Sequence, residues 1–247
     1  MMPAGLACLS VDVEQDCPPY LSSWRGIEEG LPRLLDLLDE EAVSATCFVT
    51  GETARRHPNA VCAIVDRGHE LGCHGDRHRV FTSLDMREAR ADIADATMAL
   101  RSFGSVVSFR APHLRFPPAF LPLLEEQGYL VDSSEGRHKS LRADVVHVGA
   151  ITRIPASVTS STLRWPAIPR NALLGRLTSP IVLFVHPWEF VDFRHARLRL
   201  DCRFRTGDAA ATCLRTAIRY VKARGAAFDS LARLAPKLAV AGTQSFG

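Results

Sequence analysis

Short apolar runs alternate along this chain with stretches of helical periodicity, and several runs end on a polar residue capable of chemistry. Leu6 to Val13 reads as a buried strand closed by acidic residues. Ser44 to Thr50 reads as a second, stopped by Gly51, and His69 to Cys73 as a third that delivers His74. Between them, Leu31, Leu34, Leu35 and Leu38 fall at helical spacing within Glu28 to Glu40, and a helix from Pro58 to Arg67 stops at Gly68. Further on, Ala89, Ile93, Ala96, Leu100 and Phe103 form the apolar face of a helix from Leu84 to Phe103, with Ser83 as its N-cap. The alternation continues through strand Val106 to Arg110, helix Pro118 to Gln127, strand Tyr129 to Asp132, strand Pro180 to His186, helix Ala209 to Arg224 and a last strand near Ala226 to Phe228. The stretch from Glu135 to Leu177, with scattered prolines and little periodicity, yields no assignment.

Repeated strand-then-helix units predict parallel strands with helices outside. Asp12, His74, Arg110, Asp132 and His186 each end a different predicted strand. A barrel converges many strand ends on one mouth, whereas an open doubly wound sheet gathers its site from a few. The expected fold is therefore α/β, a (β/α) barrel, with residues 1–247 as a single domain lacking repeats or a linker.

Composition narrows the function classes. A net charge of +3 without a Lys/Arg run gives no footprint for nucleic acid. Seven cysteines are scattered without a close C-x-x-C pair, so neither a disulfide framework nor a zinc ribbon is expected. Cys8, Cys47, Cys62 and Cys73 lie in apolar runs and read as small buried hydrophobes. Met1 to Val13 lacks the basic and apolar regions of an export signal, and no apolar stretch approaches the ~20 residues of a membrane span. A cytoplasmic setting is the expectation.

The chemistry concentrates in a few places. In His74-Gly75-Asp76-Arg77-His78, one turn of chain can aim both imidazoles at a common point, as divalent metals require. Glu14 is the candidate third ligand; side chains alternate along a strand, so Asp12 and Glu14 share a face, one free to bind metal while the other handles protons. Arg110, ending its strand near Asp12, would pair with and orient that carboxylate. His186 leaves the most apolar strand of the chain, a costly position for an imidazole without a partner or a task.

The order of these features (acidic strand end, His-x-x-x-His, Arg110-Ala111-Pro112, late apolar strand ending in His186) resembles the polysaccharide deacetylase, or NodB-homology, family of carbohydrate esterases. The resemblance runs from about Leu6 to Phe190 and implies a distorted barrel of about seven parallel strands. It also implies one divalent metal, Zn2+ first and Co2+, Ni2+ or Mn2+ as alternatives. Its usual first motif has two consecutive aspartates, base then ligand; here Ser10-Val11-Asp12-Val13-Glu14 places Val13 second. The implied assignment is Asp12 as base and Glu14 as ligand, with Asp12 itself or Asp16 as the competing ligands. By the same resemblance Arg110 steadies the base, the His113 backbone N–H cradles the oxyanion and His186 is the general acid. Phe184 lines the acyl pocket, Asp132 tunes His186, and Trp188 and Trp165 supply apolar wall.

The implied reaction is hydrolysis of an N-acyl, most simply N-acetyl, group from an amino sugar that is small or linked to lipid or nucleotide. Trp24 to Leu35 also resembles a stretch of deformylases acting on lipid-linked aminoarabinose, so N-deformylation competes, as does cyclic-amide opening by relatives of the fold. Two histidines and a carboxylate also serve non-haem iron oxygenases, on a β-sandwich with tighter spacing. A non-catalytic sugar-binding barrel is the remaining reading.

Overall fold

The computed structural model describes residues 5–138 and 143–243, with side chains to 238. Its elements follow the alternation: β1 (Leu6–Val13), α1 (Leu31–Glu40), β2 (Ala45–Val49), α2 (Gly51–Arg56), α3 (Pro58–Asp66), β3 (Glu70–Cys73), α4 (Met86–Arg101), β4 (Ser108–Phe109) and α5 (Leu121–Glu126). Then come β5 (Val131–Asp132), β6 (Val146–Val148), β7 (Ile151–Arg153), α6 (Ser160–Leu163), α7 (Ala167–Leu174), β8 (Ile181–Val185), α8 (Leu200–Arg203), α9 (Asp208–Ala223), β9 (Ala227–Phe228) and α10 (Leu231–Thr243).

The α/β expectation holds, and the distorted barrel of about seven parallel strands takes the form of a curled, open half-barrel with more strands and one antiparallel pairing. Nine strands form one curled, open sheet in the order β6-β7-β5-β4-β3-β2-β1-β8, with β9 also on β1. Every pairing is parallel except β6–β7, which is antiparallel. β6 and β7 come from the stretch without readable periodicity, and β6 is exposed throughout, so no alternation of buried and exposed residues announces it. The two ends of the sheet approach through the segment after β7: Ser157 donates its N–H to the Val182 carbonyl (2.8 Å), and the Val182 N–H returns to Ser157 Oγ (2.9 Å).

Because the paired strands around β1 run parallel, their C-terminal ends lie along one edge, where Asp12 is set by β1, His74 follows β3, Arg110 follows β4 and His186 follows β8. β1, buried along almost its whole length, lies between β2 (Asp12 opposite Phe48) and β8 (Val11 opposite Val185). Helix α4 buries Ala89, Ile93, Ala96 and Leu100 as the periodicity predicts, but its N-cap is Asp85 rather than Ser83. Asp85 and Glu88 exchange backbone and side-chain bonds in a capping box worth about 1 kcal/mol. Helix α10 was not expected, since Pro236 interrupts its pattern. It packs under the opposite edge, where Thr46 Oγ1 accepts from Leu231 N (2.9 Å) and Glu70 Oε2 from Ala232 N (3.0 Å), supplying acceptors to helix-terminal donors. Cys8, Cys47 and Cys73 are buried as expected, whereas Cys62 lies on the outer face of α3 and is exposed.

Candidate metal centre and catalytic pocket

Glu14, His74 and His78 converge. Their ligand atoms all lie within 4.8 Å of one another, with His74 Nε2 at 3.1 Å and His78 Nε2 at 2.6 Å from Glu14 Oε2. Local backbone produces this aim. After β3 the chain reverses through Gly75 at φ 73°, a conformation costly for a residue with Cβ, and a Cβ there would sit 2.9 Å from Asp92 Oδ1. The turn ends at His78, itself at φ 52°.

The hydrogen-bond inventory says what the three groups want between them. The Arg110 carbonyl can only accept, so His74 Nδ1, 2.7 Å away, carries a proton and donates to it. A neutral His74 then turns the lone pair of Nε2 toward Glu14. Glu14 Oε2 is buried without an aligned hydrogen-bond donor, although two imidazole nitrogens crowd it. Two lone pairs cannot face each other at that distance in a dry site; a proton or a cation must lie between them. Burial alone would raise the Glu14 pKa, but the charge of His78 and the close approach of both imidazoles hold it well below the usual carboxylate range. Burial likewise pushes His78 down, and Glu14 outweighs it and pushes His78 up. A carboxylate and two imidazoles at one point, with open space beyond, are the donor set of a divalent hydrolytic metal.

Asp16 is not available as a competing ligand. Its carboxylate accepts from Ser23 Oγ (2.6 Å), Gly26 N (2.7 Å) and Arg25 N (2.9 Å), which commits it to its own loop. Asp12 also stands outside the triad, its Oδ1 held by Arg110 Nη1 at 2.8 Å. Arg110 has no exposed surface; it donates through Nε to the Ser133 carbonyl (3.2 Å) and through Nη2 to Ser133 Oγ (2.9 Å). Its guanidinium lies over the Phe48 ring at 4.4 Å and the Phe184 ring at 5.5 Å. Ser133, which sequence reading passed over, thereby fixes the arginine that fixes Asp12.

Across the cleft, His186 Nε2 stands 4.0 Å from Asp12 Oδ2 and 3.8 Å from Glu14 Oε1. Its other nitrogen donates to Glu189 Oε1 at 2.9 Å, and Glu189 Oε1 also accepts the His186 N–H at 2.9 Å. Glu189 Oε2 pairs with Arg164 Nε at 2.8 Å, both side chains being almost fully buried. Burial would depress the His186 pKa; the hydrogen bond to Glu189, then the charges of Glu14, Glu189 and Asp12, push it up to about 9. Glu189 is the partner that Asp132 was expected to be. Asp132 is spent elsewhere: Oδ2 accepts from Arg153 Nε (2.8 Å) and Oδ1 from the Ser134 N–H (3.0 Å). The offset of Glu189, three residues after His186 across Pro187, closes a single turn of 3-10 helix and could have disclosed it.

A cavity of about 290 Å³ opens over these groups, lined by Asp12, Glu14, His74, His78, His186, Phe184 and Trp188, among others. Trp188 stacks on His186 (centroids 5.0 Å apart, planes 24° apart), and Phe184 meets the same ring edge-on at 5.7 Å. His113, at φ 60°, also lines the cavity, its ring 4.8 Å from that of His78. Trp165 does not line it; that side chain is 41% exposed beyond α6, while its neighbour Arg164 turns inward. Trp24 to Leu35 supports the site from behind. A Cβ on Gly30 would lie 2.1 Å from the Pro187 carbonyl, so this stretch packs directly against the turn that follows His186.

Residues 16–131 match the profile of the polysaccharide deacetylases. A peptidoglycan deacetylase-like protein of Gibberella zeae is 37% identical over 114 residues, which are 44% of this chain and 33% of that protein. The matched stretches cover less than half the length of the curated relatives. Among solved structures, a Mycobacterium smegmatis chain provisionally assigned to the polysaccharide deacetylases superposes with a TM-score of 0.73 at 22% identity, covering 98% of this chain and 93% of that one. A CE4 family pseudoenzyme from Bacillus anthracis superposes with a TM-score of 0.64 at 17% identity, covering 93% and 65%. The second comparison shows that the fold can be shared by a chain without activity, so chemistry has to be argued from side chains.

Proposed function

We propose, for a chain that belongs to the polysaccharide deacetylase family, that it is a metal-dependent hydrolase removing an N-acetyl group from an amino-sugar substrate. One observation carries the proposal. A buried carboxylate and two imidazoles converge on one point, beside a carboxylate and an imidazole that face each other at 4.0 Å. The first set holds a cation; the second supplies a base and an acid on either side of a scissile amide.

The donors fit zinc, which accepts two imidazole nitrogens and a carboxylate oxygen and keeps a position open. When bound, such an ion would polarise the acyl carbonyl and lower the pKa of water toward neutrality. Asp12, oriented by Arg110, accepts the proton of the attacking water at Oδ2, the oxygen that Arg110 Nη1 leaves free. The His113 N–H is assigned to the developing oxyanion. His186 donates from Nε2 to the departing nitrogen, which would otherwise leave as an unstable amide anion. Glu189 keeps Nδ1 protonated and the ring turned so that Nε2 faces the cleft. Phe184 and Trp188 give the acyl methyl an apolar wall and limit the water reaching the acid. The oxygenase alternative loses its footing because the expected β-sandwich is absent and the sheet is α/β.

Incubation of the zinc-loaded chain with N-acetyl and N-formyl amino sugars, followed by mass spectrometry of the released acid, tests the proposal. Acetate with a free amine is the expected result. Formate alone would move the assignment to deformylation, and the absence of any released acid would overturn N-acyl hydrolysis of amino sugars.

A further inference from the structure

Two cysteines of the cavity wall have no part in the reaction above. Cys17 sits in the loop after β1 and Cys202 on α8, far apart in sequence, yet both line the cavity and both pack into one apolar cluster with Trp188, Val191, Phe193 and Leu198. Each thiol is the leading influence of a neighbouring side chain on the other's titration. Both are free.

From this juxtaposition we infer that Cys17 and Cys202 form a redox-active dithiol that closes into a disulfide across the wall of the catalytic cavity, with a low-molecular-weight disulfide as the oxidant. Each thiol is presented by a braced segment. The Cys17 loop is tied down by the three bonds to Asp16 and by Tyr20 N–H donating to the Cys17 carbonyl (2.9 Å). Cys17 itself holds φ 43°, a conformation that a non-glycine residue keeps only where its surroundings impose it. On the other side, Arg164 grips α8, donating through Nη2 to the Asp201 carbonyl (2.6 Å) and through Nη1 to those of Cys202 (3.4 Å) and Phe204. Two thiols presented into one cavity wall and one apolar cluster by independent anchors can meet at the ~2.05 Å of an S–S bond.

The exposure of the pair orders the steps. Cys202 is partly exposed and Cys17 buried, so Cys202 meets the oxidant first. Cys17 and the nearby guanidinium charges of Arg199 and Arg164 favour the Cys202 thiolate, and the contact that lowers Cys202 raises Cys17. The Cys202 thiolate attacks one sulfur of the small disulfide, forming a mixed disulfide and releasing one small thiol. The Cys17 sulfur, giving up its proton, then attacks the Cys202 sulfur and expels the second small thiol. One disulfide is reduced to two thiols while two cysteines are oxidised to one disulfide, and both protons leave on the small thiols. The bridge ties the loop after β1 to α8 at the cavity wall, and a thiol reductant reverses it.

The inference is independent of the reaction assigned above, and its test does not use turnover. The reduced folded chain is exposed to oxidised glutathione, its remaining thiols are alkylated, and its peptides are mapped by mass spectrometry. A Cys17–Cys202 linked peptide, two hydrogen atoms lighter than the separate peptides and lost with dithiothreitol, is expected. C17S should instead retain glutathione on Cys202, and C202S should leave Cys17 reduced. Alkylation of both Cys17 and Cys202 in the oxidised chain, with glutathione only on the exposed Cys62, would overturn the inference.

Discussion

The two walls of the cleft are built on different principles. On the wall proposed to hold metal and base, Asp12, Glu14, His74 and Arg110 stand at or just beyond strand ends, each 4% exposed or less, and are held by neighbouring strands. On the acid side, His186 is turned by Glu189, Glu189 is paired with Arg164, and Arg164 is anchored on the carbonyls of the short helix α8. The first wall rests on the sheet, while the second rests on a relay of side chains ending on a short helix. It follows that damage to the first wall removes chemistry at once, whereas damage to the second first alters the acid's orientation and titration.

Substitutions can break that contrast. Asp12→Asn should lower turnover by ~10²–10⁴-fold while leaving metal content unchanged, because an amide cannot take the proton and the triad does not include this residue; steady-state kinetics with elemental analysis checks both. Arg164→Met leaves Glu189 Oε2 buried without its guanidinium partner and should cost up to about 3–5 kcal/mol of stability, read as a fall in the urea midpoint with metal affinity retained. If metal affinity fell in parallel, the two walls would not be independent.

A subtler test is pH. If His186 is the acid, as proposed, it must be protonated to act, so kcat/KM should fall as pH rises through about 9, the value to which His186 is pushed. Glu189→Gln removes the leading cause of that rise and should shift the alkaline limb to lower pH. The stability that the His186–Glu189 pair contributes has the same sign: fully present below the ordinary imidazole range, lost as pH climbs through about 9. Smallest of all, Trp165→Ala should leave kinetics within error, since that side chain lies outside the cavity.

The same contrast explains what could be read from the residues. The convergence of Glu14, His74, His78, Arg110 and His186 was legible because apolar strands announce their own ends, and a polar residue at such an end stands out. Arg164, Cys17 and Cys202 were not, because their positions depend on contacts between segments distant in sequence, and neither periodicity nor spacing encodes those. Asp132 was misread for a related reason. It ends a strand like the others, but Arg153 from β7, inside the unreadable stretch, claims its carboxylate. The openness of the half-barrel was not legible because parallel strand–helix alternation is common to open sheets and barrels, and the departure lies in β6 and β7.

Zinc titration of the metal-stripped chain, followed calorimetrically beside His74→Ala and Glu14→Ala, tests the central claim most directly. A single equivalent bound tightly by the unsubstituted chain, and lost in either variant, is the predicted result. Binding that survives both substitutions, or no stoichiometric binding to the unsubstituted chain, would contradict the reading of Glu14, His74 and His78 as one metal centre.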